Sequence, residues 1–231
     1  MIRIISRLDI KSSNLIKGKQ FEGLRKLGDP KSYAVSYYEE GIDEIFLIDN
    51  VASLYRKNFE INLLDDISKK ILIPITAAGG IDNLEIAKSI FKYGADKIAI
   101  NSNIINNLSL LEDLVNYFGS SNIIVSIEAK KNDKSWEIYS LGGREKSNIS
   151  IENWIENISS KLPGEIYITS IDYDGMQNGF CINLFKKVNR LTNIPIIVGG
   201  GFGQISHIDE LLENCQISAV TIGPALHNNS L

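Results

Sequence analysis

Leu8-Asp9-Ile10-Lys11 closes the first apolar run of the chain and returns as Ile127-Glu128-Ala129-Lys130, 119 positions further on. Ile73-Pro74-Ile75 leading into Gly79-Gly80-Ile81 returns as Ile194-Pro195-Ile196 leading into Gly199-Gly200-Gly201, 121 positions on. Gly41-Ile42-Asp43-Glu44-Ile45-Phe46-Leu47 and Gly164-Glu165-Ile166-Tyr167-Ile168 keep that same offset. Chance likeness between buried strands rarely gives three blocks nearly one offset. The spacing therefore predicts two similar halves, approximately 1–120 and 121–231.

Short β-branched runs alternate with segments whose apolar residues recur every three or four positions, the pattern of parallel βαβ units. Eight strands are predicted, at 2–8, 44–48, 72–77, 97–100, 123–127, 165–170, 194–198 and 219–222. Helical patterns fall between them at 30–40, 84–93, 108–118, 151–161 and 181–191. Eight such units, doubled at the fourth, predict an α/β fold of the (β/α)8 barrel type. An open doubly wound sheet is the alternative, but the glycine fingerprint it would carry at its first strand-to-helix turn is absent. Phe118-Gly119-Ser120-Ser121-Asn122 at the join reads as a tight turn and not a linker, so 1–231 is expected to form one domain.

The 231 residues carry a net charge of −4 with Lys and Arg scattered, which argues against nucleic acid as a partner. Cys181 and Cys215 are too isolated for a disulfide framework, and His207 and His227 have no ligand spacing, so no metal or other cofactor is expected. Charges interrupt the apolar start of the chain, and no run approaches the length of a membrane span. A cytoplasmic protein without a membrane partner is the expectation.

Barrel chemistry sits at the C-terminal ends of the strands. Asp9 ends the first and Glu128 the fifth, which are opposite positions in an eight-stranded barrel. An opposed carboxylate pair suits acid and base work, with environment deciding which group gives the proton. Simple pairing with Lys11 and Lys130 is the plainer alternative. Asp49 ends the second strand, and Asp172 and Asp174 follow the sixth, although one of these acids could instead cap a helix. Gly79-Gly80 after the third strand and Gly199-Gly200-Gly201 after the seventh leave backbone amides open to an anion. Each is followed one strand later by a small-residue corner, Asn101-Ser102 or Gly223-Pro224. Two phosphate cradles on opposite sides predict a substrate with a phosphate at each end.

Read together with Leu15-Ile16-Lys17-Gly18, Gly28-Asp29-Pro30, Gly94-Ala95-Asp96-Lys97 and Thr169-Ser170-Ile171-Asp172, these motifs make the chain resemble the HisF-type cyclase subunits of imidazole glycerol phosphate synthase. The resemblance runs from Arg3 to His227. It implies ammonia taken from a glutaminase partner in a heterodimer and used to cyclise a ribulosyl aminoimidazole bisphosphate, in histidine biosynthesis. It places Asp9 and Glu128 on the catalytic positions and Lys17 and Asp49 on supporting ones. Gly80, Asn101 and Ser102 fall on one phosphate cradle, and Asp174, Gly175, Gly201 and Gly223 on the region of the other. Arg3, Glu44, Lys97 and Glu165 match a ring of alternating charges through which ammonia enters.

Four features depart from that pattern. Most members have aspartate where this chain has Glu128, and the extra methylene displaces the carboxyl by about 1 Å, a misplacement that can cost about a hundredfold in rate. Ser12-Ser13-Asn14 replaces an Asp-Gly pair, and Pro224, which has no amide proton, stands where serine is expected. The sequence given stops at Leu231, so the helix expected after the eighth strand is missing from it, and an apolar patch on the barrel wall is the expected consequence. A family paralogue that delivers ammonia for surface-polysaccharide sugar amidation, with a glutaminase and an amidotransferase, is the alternative these departures raise.

Overall fold

The structure, a computed structural model, describes residues 2–55, 57–133 and 135–223. Pro224, His227 and the end at Leu231 lie outside the described residues. The first half contains β1 (Arg3–Lys11), β2 (Asn14–Lys19), β3 (Glu22–Gly28), α1 (Pro30–Glu39), β4 (Glu44–Asp49), α2 (Ala52–Tyr55), α3 (Ile61–Ser68) and β5 (Ile75–Ala78). It continues through α4 (Leu84–Lys92), β6 (Lys97–Ile100), α5 (Ser102–Asn106) and α6 (Leu108–Phe118). The second half has β7 (Ile123–Lys131), β8 (Trp136–Ser140), β9 (Glu145–Ser150), α7 (Ile151–Ser159), β10 (Glu165–Ser170), α8 (Ile182–Asn189), β11 (Ile196–Gly199), α9 (Ser206–Asn214) and β12 (Ala219–Ile222).

Eight of these strands pair in parallel in the order β1, β4, β5, β6, β7, β10, β11, β12, and β12 returns to β1 through Arg3 beside Ala219. The sheet is closed, and helices lie between successive strands: a (β/α)8 barrel. All eight expected strands are present, but β5 and β11 begin later than the apolar runs at 72 and 194. Pro74 and Pro195 have no N–H to give the ladder, and only their carbonyls serve it, accepting from Ile45 N at 3.0 Å and Ile166 N at 2.9 Å.

Two antiparallel hairpins were not anticipated from the sequence. β1 runs on beyond the barrel and turns back into β2 and β3, with Ile10 opposite Leu15. β7 does the same into β8 and β9, with Glu128 opposite Tyr139. Both hairpins therefore rise over the mouth from the strands that carry Asp9 and Glu128.

The helices start where local chemistry dictates. Asp29 accepts from the N–H groups of Lys31 and Ser32 just before Pro30 at the first turn of α1, while Asn83 and Ser150 cap α4 and α7. Between helices and barrel, residues such as Leu111, Leu114, Ile155 and Ile158 are fully buried. Each such side chain contributes about 1.5–3 kcal/mol relative to exposure.

Strand pleating sends alternate residues inward. On β1 these are Arg3, Ile5, Arg7 and Asp9. The middle of the interior is apolar and filled by Ile5, Phe46, Ala78, Ala99, Ile124, Tyr167, Ile197 and Ala219. Phe46 and Tyr167 meet at a ring-centroid distance of 4.8 Å. Charge lies below and above this layer.

Candidate active site

At the N-terminal end of the strands, the four expected charges form a closed ring. Arg3 donates to Glu44 at 3.0 Å and also pairs with Glu165, while Lys97 reaches Glu44 at 3.3 Å and Glu165 at 2.9 Å. Each cation bridges both acids, so the ring is neutral. Thr76 Oγ1 supplies a further hydrogen bond to Glu44 at 2.6 Å. Buried ions need this degree of pairing to offset their lost hydration.

At the opposite end, Asp9 and Glu128 stand on β1 and β7 in very different surroundings. Asp9 is held by Arg7 Nε at 2.9 Å and by Lys17 Nζ at 3.2 Å, and not by Lys11. Burial opposes its charge, but those two cations prevail and bring its pKa down to about 2. Glu128 accepts from the backbone N–H of Gly143 at 2.7 Å, while Lys130 lies over the Tyr139 ring. Burial dominates there and pushes the Glu128 carboxyl up to about 7 against that hydrogen bond. Near neutrality Asp9 is ionised, and Glu128 is the acid that its burial inclines to keep its proton.

Gly143 reaches Glu128 because the turn between β8 and β9 runs through left-handed backbone at Leu141, Gly142 and Gly143, with Gly143 at φ 74°. The glycine pair between two strand-like runs is a sequence signal for this hairpin.

Asp49 is buried, which raises its pKa, and it accepts from the N–H groups of Val51 and Ala52 at 3.1 and 3.0 Å. It is the helix-capping acid among those at the strand ends. Asp174 joins Asp9 through shared cations, receiving Arg7 at 3.1 Å and Lys17 at 3.6 Å. Asp172 instead accepts from the Lys131 N–H at 2.9 Å.

Asp49, Gly80, Asn101, Ser102 and Glu128 line one cavity of about 60 Å³. Gly80 sits at φ 70°, donates to Ser53 Oγ at 3.1 Å, and has no room for a Cβ, which would meet Lys57 O at 2.6 Å. Ser102 Oγ accepts from Leu141 N–H at 2.9 Å. The buried Oδ1 of Asn101 has no hydrogen-bond partner among the described residues. A ligand hydroxyl or N–H entering the cavity would satisfy it.

On the other side, a Cβ on Gly175 would meet Gly18 O at 2.7 Å, and one on Gly201 would meet Gly179 O at 1.9 Å. Glycine there lets two pairs of backbone segments touch. Gly223 is buried just beyond the end of β12.

The sequence reading missed Arg7, which this geometry puts at the centre of the mouth. Its side chain is 5% exposed, and its guanidinium also donates to the Tyr167 hydroxyl at 3.3 Å and lies 5.4 Å from the Phe21 ring. Burial works against its charge, yet Asp9, Tyr167 and Asp174 raise its pKa further above the ordinary arginine value. The signal was available: an arginine at an inward position two residues before Asp9.

A family described as "Histidine biosynthesis protein" matches residues 3–231. Among curated relatives, the imidazole glycerol phosphate synthase subunit HisF of Legionella pneumophila is 40% identical over 90% of this chain and 99% of its own. The protein of that name from Pyrococcus furiosus is 40% identical over 90% of this chain and 83% of its own. That of Prochlorococcus marinus is 35% identical over 100% of this chain and 91% of its own. A barrel carrying acids at the first and fifth strand ends, matched over nearly its whole length, thus belongs to the histidine biosynthesis protein family.

Proposed function

We propose that this chain is the cyclase subunit of an imidazole glycerol phosphate synthase, acting in the cytoplasm with ammonia from a glutaminase partner. It would convert a ribulosyl aminoimidazole bisphosphate into imidazole glycerol phosphate and an aminoimidazole carboxamide ribotide. The observation that carries this reading is the unlike setting of two buried, opposed carboxylates: Asp9 lies between Arg7 and Lys17, at 2.9 and 3.2 Å, which keep it ionised, while Glu128 accepts from the Gly143 N–H at 2.7 Å and burial raises its pKa. Ring closure requires protons to be given and taken at nearby atoms. Glu128 is the group able to deliver one near neutral pH, and Asp9 remains an anion that stabilises positive charge.

The other residues take supporting roles in this proposal. Gly80, Asn101 and Ser102 receive one phosphate end, with Asn101 Oδ1 free for a substrate hydroxyl or N–H. Gly175, Gly201 and Gly223 belong to the side that receives the other. Lys17 and Asp174 position Asp9, and Asp49 fixes the backbone at the start of α2. The ring of Arg3, Glu44, Lys97 and Glu165 marks the ammonia entrance. Leu72, 90% exposed, and Leu162, 67% exposed, stand on the loops entering β5 and β10 at that same end and give a glutaminase apolar surface to cover.

The test is turnover of the ribulosyl bisphosphate near neutral pH with ammonium salt in large excess, followed by the absorbance change on cyclisation. One observation favours the second reading, ammonia delivery to another enzyme's substrate: Arg7 ties up both Asp9 and Asp174. On that reading the chain stimulates a glutaminase but leaves the bisphosphate unchanged.

A further inference from the structure

The turn joining β8 to β9 holds a leucine in backbone that leucine rarely adopts. Leu141, Gly142 and Gly143 all stand in the left-handed region, at φ 53°, 68° and 74°. Arg144 helps to hold them there, its N–H donating to Ser140 O at 3.0 Å and its guanidinium to Leu141 O at 3.1 Å. Two amides of the turn are directed at the site instead. Leu141 N–H donates to Ser102 Oγ at 2.9 Å, and Gly143 N–H donates to Glu128 Oε2 at 2.7 Å.

Those two acceptors, together with Leu141 and Gly142, line the same cavity. Ser102 Oγ accepts from Leu141, while its own hydroxyl proton has no acceptor among the described residues. It can therefore donate to an anion and still hold the turn, and donating to an anion makes the oxygen a better acceptor. The charged groups facing Glu128 are Arg7 from β1, which favours its ionised form, and Asp174 beyond β10, which opposes it. The Asn101 side chain also favours ionisation. None of these three lies on the turn.

We propose that Ser102 is a positioning residue for Glu128: it fixes the Leu141–Gly143 turn, and with it the Gly143 N–H on the carboxyl, and a phosphate on the Ser102 hydroxyl tightens both contacts. The phosphate-bearing substrate is that of the cyclase reading above, on which this coupling rests. Anchoring one end of the substrate is thereby transmitted to the proton affinity of the acid that serves its reacting atoms. The strained residue is what makes the turn responsive. Leu141 stays in left-handed backbone because Ser102 holds its N–H and Arg144 its carbonyl, so loosening either contact lets the turn relax.

The test is an NMR titration of the full chain that follows the Glu128 carboxyl resonance, assigned with Glu128→Gln, in wild type, Ser102→Ala and Ser102→Thr. Ser102→Ala releases the turn and is expected to move the Glu128 midpoint upward by about half a pH unit or more, because the ionised carboxyl loses support from Gly143. Ser102→Thr keeps the hydroxyl and should titrate with wild type. The second readout is amide hydrogen exchange at Gly143 in wild type, which saturating inorganic phosphate should slow by about threefold or more. A Ser102→Ala chain that titrates with wild type overturns the proposal. So does a Gly143 amide whose exchange phosphate leaves unchanged, a result that needs no variant and stands even if Ser102→Ala does not fold. Neither measurement needs turnover, so a chain that passes both and still leaves the bisphosphate unchanged contradicts the cyclase reading alone.

Discussion

The backbone amide of Gly143 donates to Glu128 Oε2 at 2.7 Å from the tip of a hairpin that rises off the same strand. That bond opposes the burial that otherwise drives the Glu128 carboxyl upward, so hairpin geometry and proton affinity are linked. Alanine at position 143, where φ is 74°, strains the turn and weakens the bond. Gly143→Ala should move the alkaline limb of the kcat/KM profile to higher pH, because the ionised carboxyl loses support. An unmoved limb would separate the hairpin from the acid.

Glu128 also makes stability depend on pH. Its pKa rises on folding from 4.5 to about 7, so the folded state resists ionisation. The cost is absent below the lower value, grows between the two and is complete above the upper, where it reaches about 3 kcal/mol. Urea unfolding of Glu128→Gln should therefore show a gain over wild type at pH 8.5 that shrinks towards pH 5. A gain independent of pH would assign it to packing.

The Asp9 linkage runs the other way. Its pKa is lowered to about 2, so its contribution is present above 3.8 and is lost as pH falls through the folded value. Asp9→Asn should flatten the acid end of the wild-type stability curve, read by urea unfolding between pH 5 and pH 2.

Lys97 bridges both acids of the lower ring. Removing one partner of such a network strands buried charge at about 3–5 kcal/mol. Lys97→Met should lower the melting temperature and reduce glutamine-driven turnover while sparing turnover with ammonium salt. Equal losses with both nitrogen sources would confine the ring to a structural role.

The barrel was legible because inward and outward faces of parallel strands leave apolar runs, and because the repeat at an offset near 120 fixed how many units to expect. The ring of Arg3, Glu44, Lys97 and Glu165 was placed by resemblance, and strand starts agree with it. The first hairpin was not legible, because β3 is mostly exposed and its sequence lacks the apolar alternation that marks a half-buried strand, whereas the second carried a signal in Gly142-Gly143 that was passed over. Arg7 was passed over as an interruption of an apolar run. Its partner Asp174 lies 167 residues away, and only barrel closure brings the two together. The difference between Asp9 and Glu128 was equally hidden, since it depends on Lys17, Asn101, Gly143 and Asp174, drawn from four other segments.

Turnover of the ribulosyl bisphosphate with ammonium salt by the purified chain, compared with Glu128→Gln, tests the cyclase proposal most directly. The expected result is cyclisation by wild type and a loss of about 10²–10⁴-fold in the variant, the range for removing a general acid. A folded wild-type chain that leaves the bisphosphate unchanged, or a Glu128→Gln variant as fast as wild type, would contradict it.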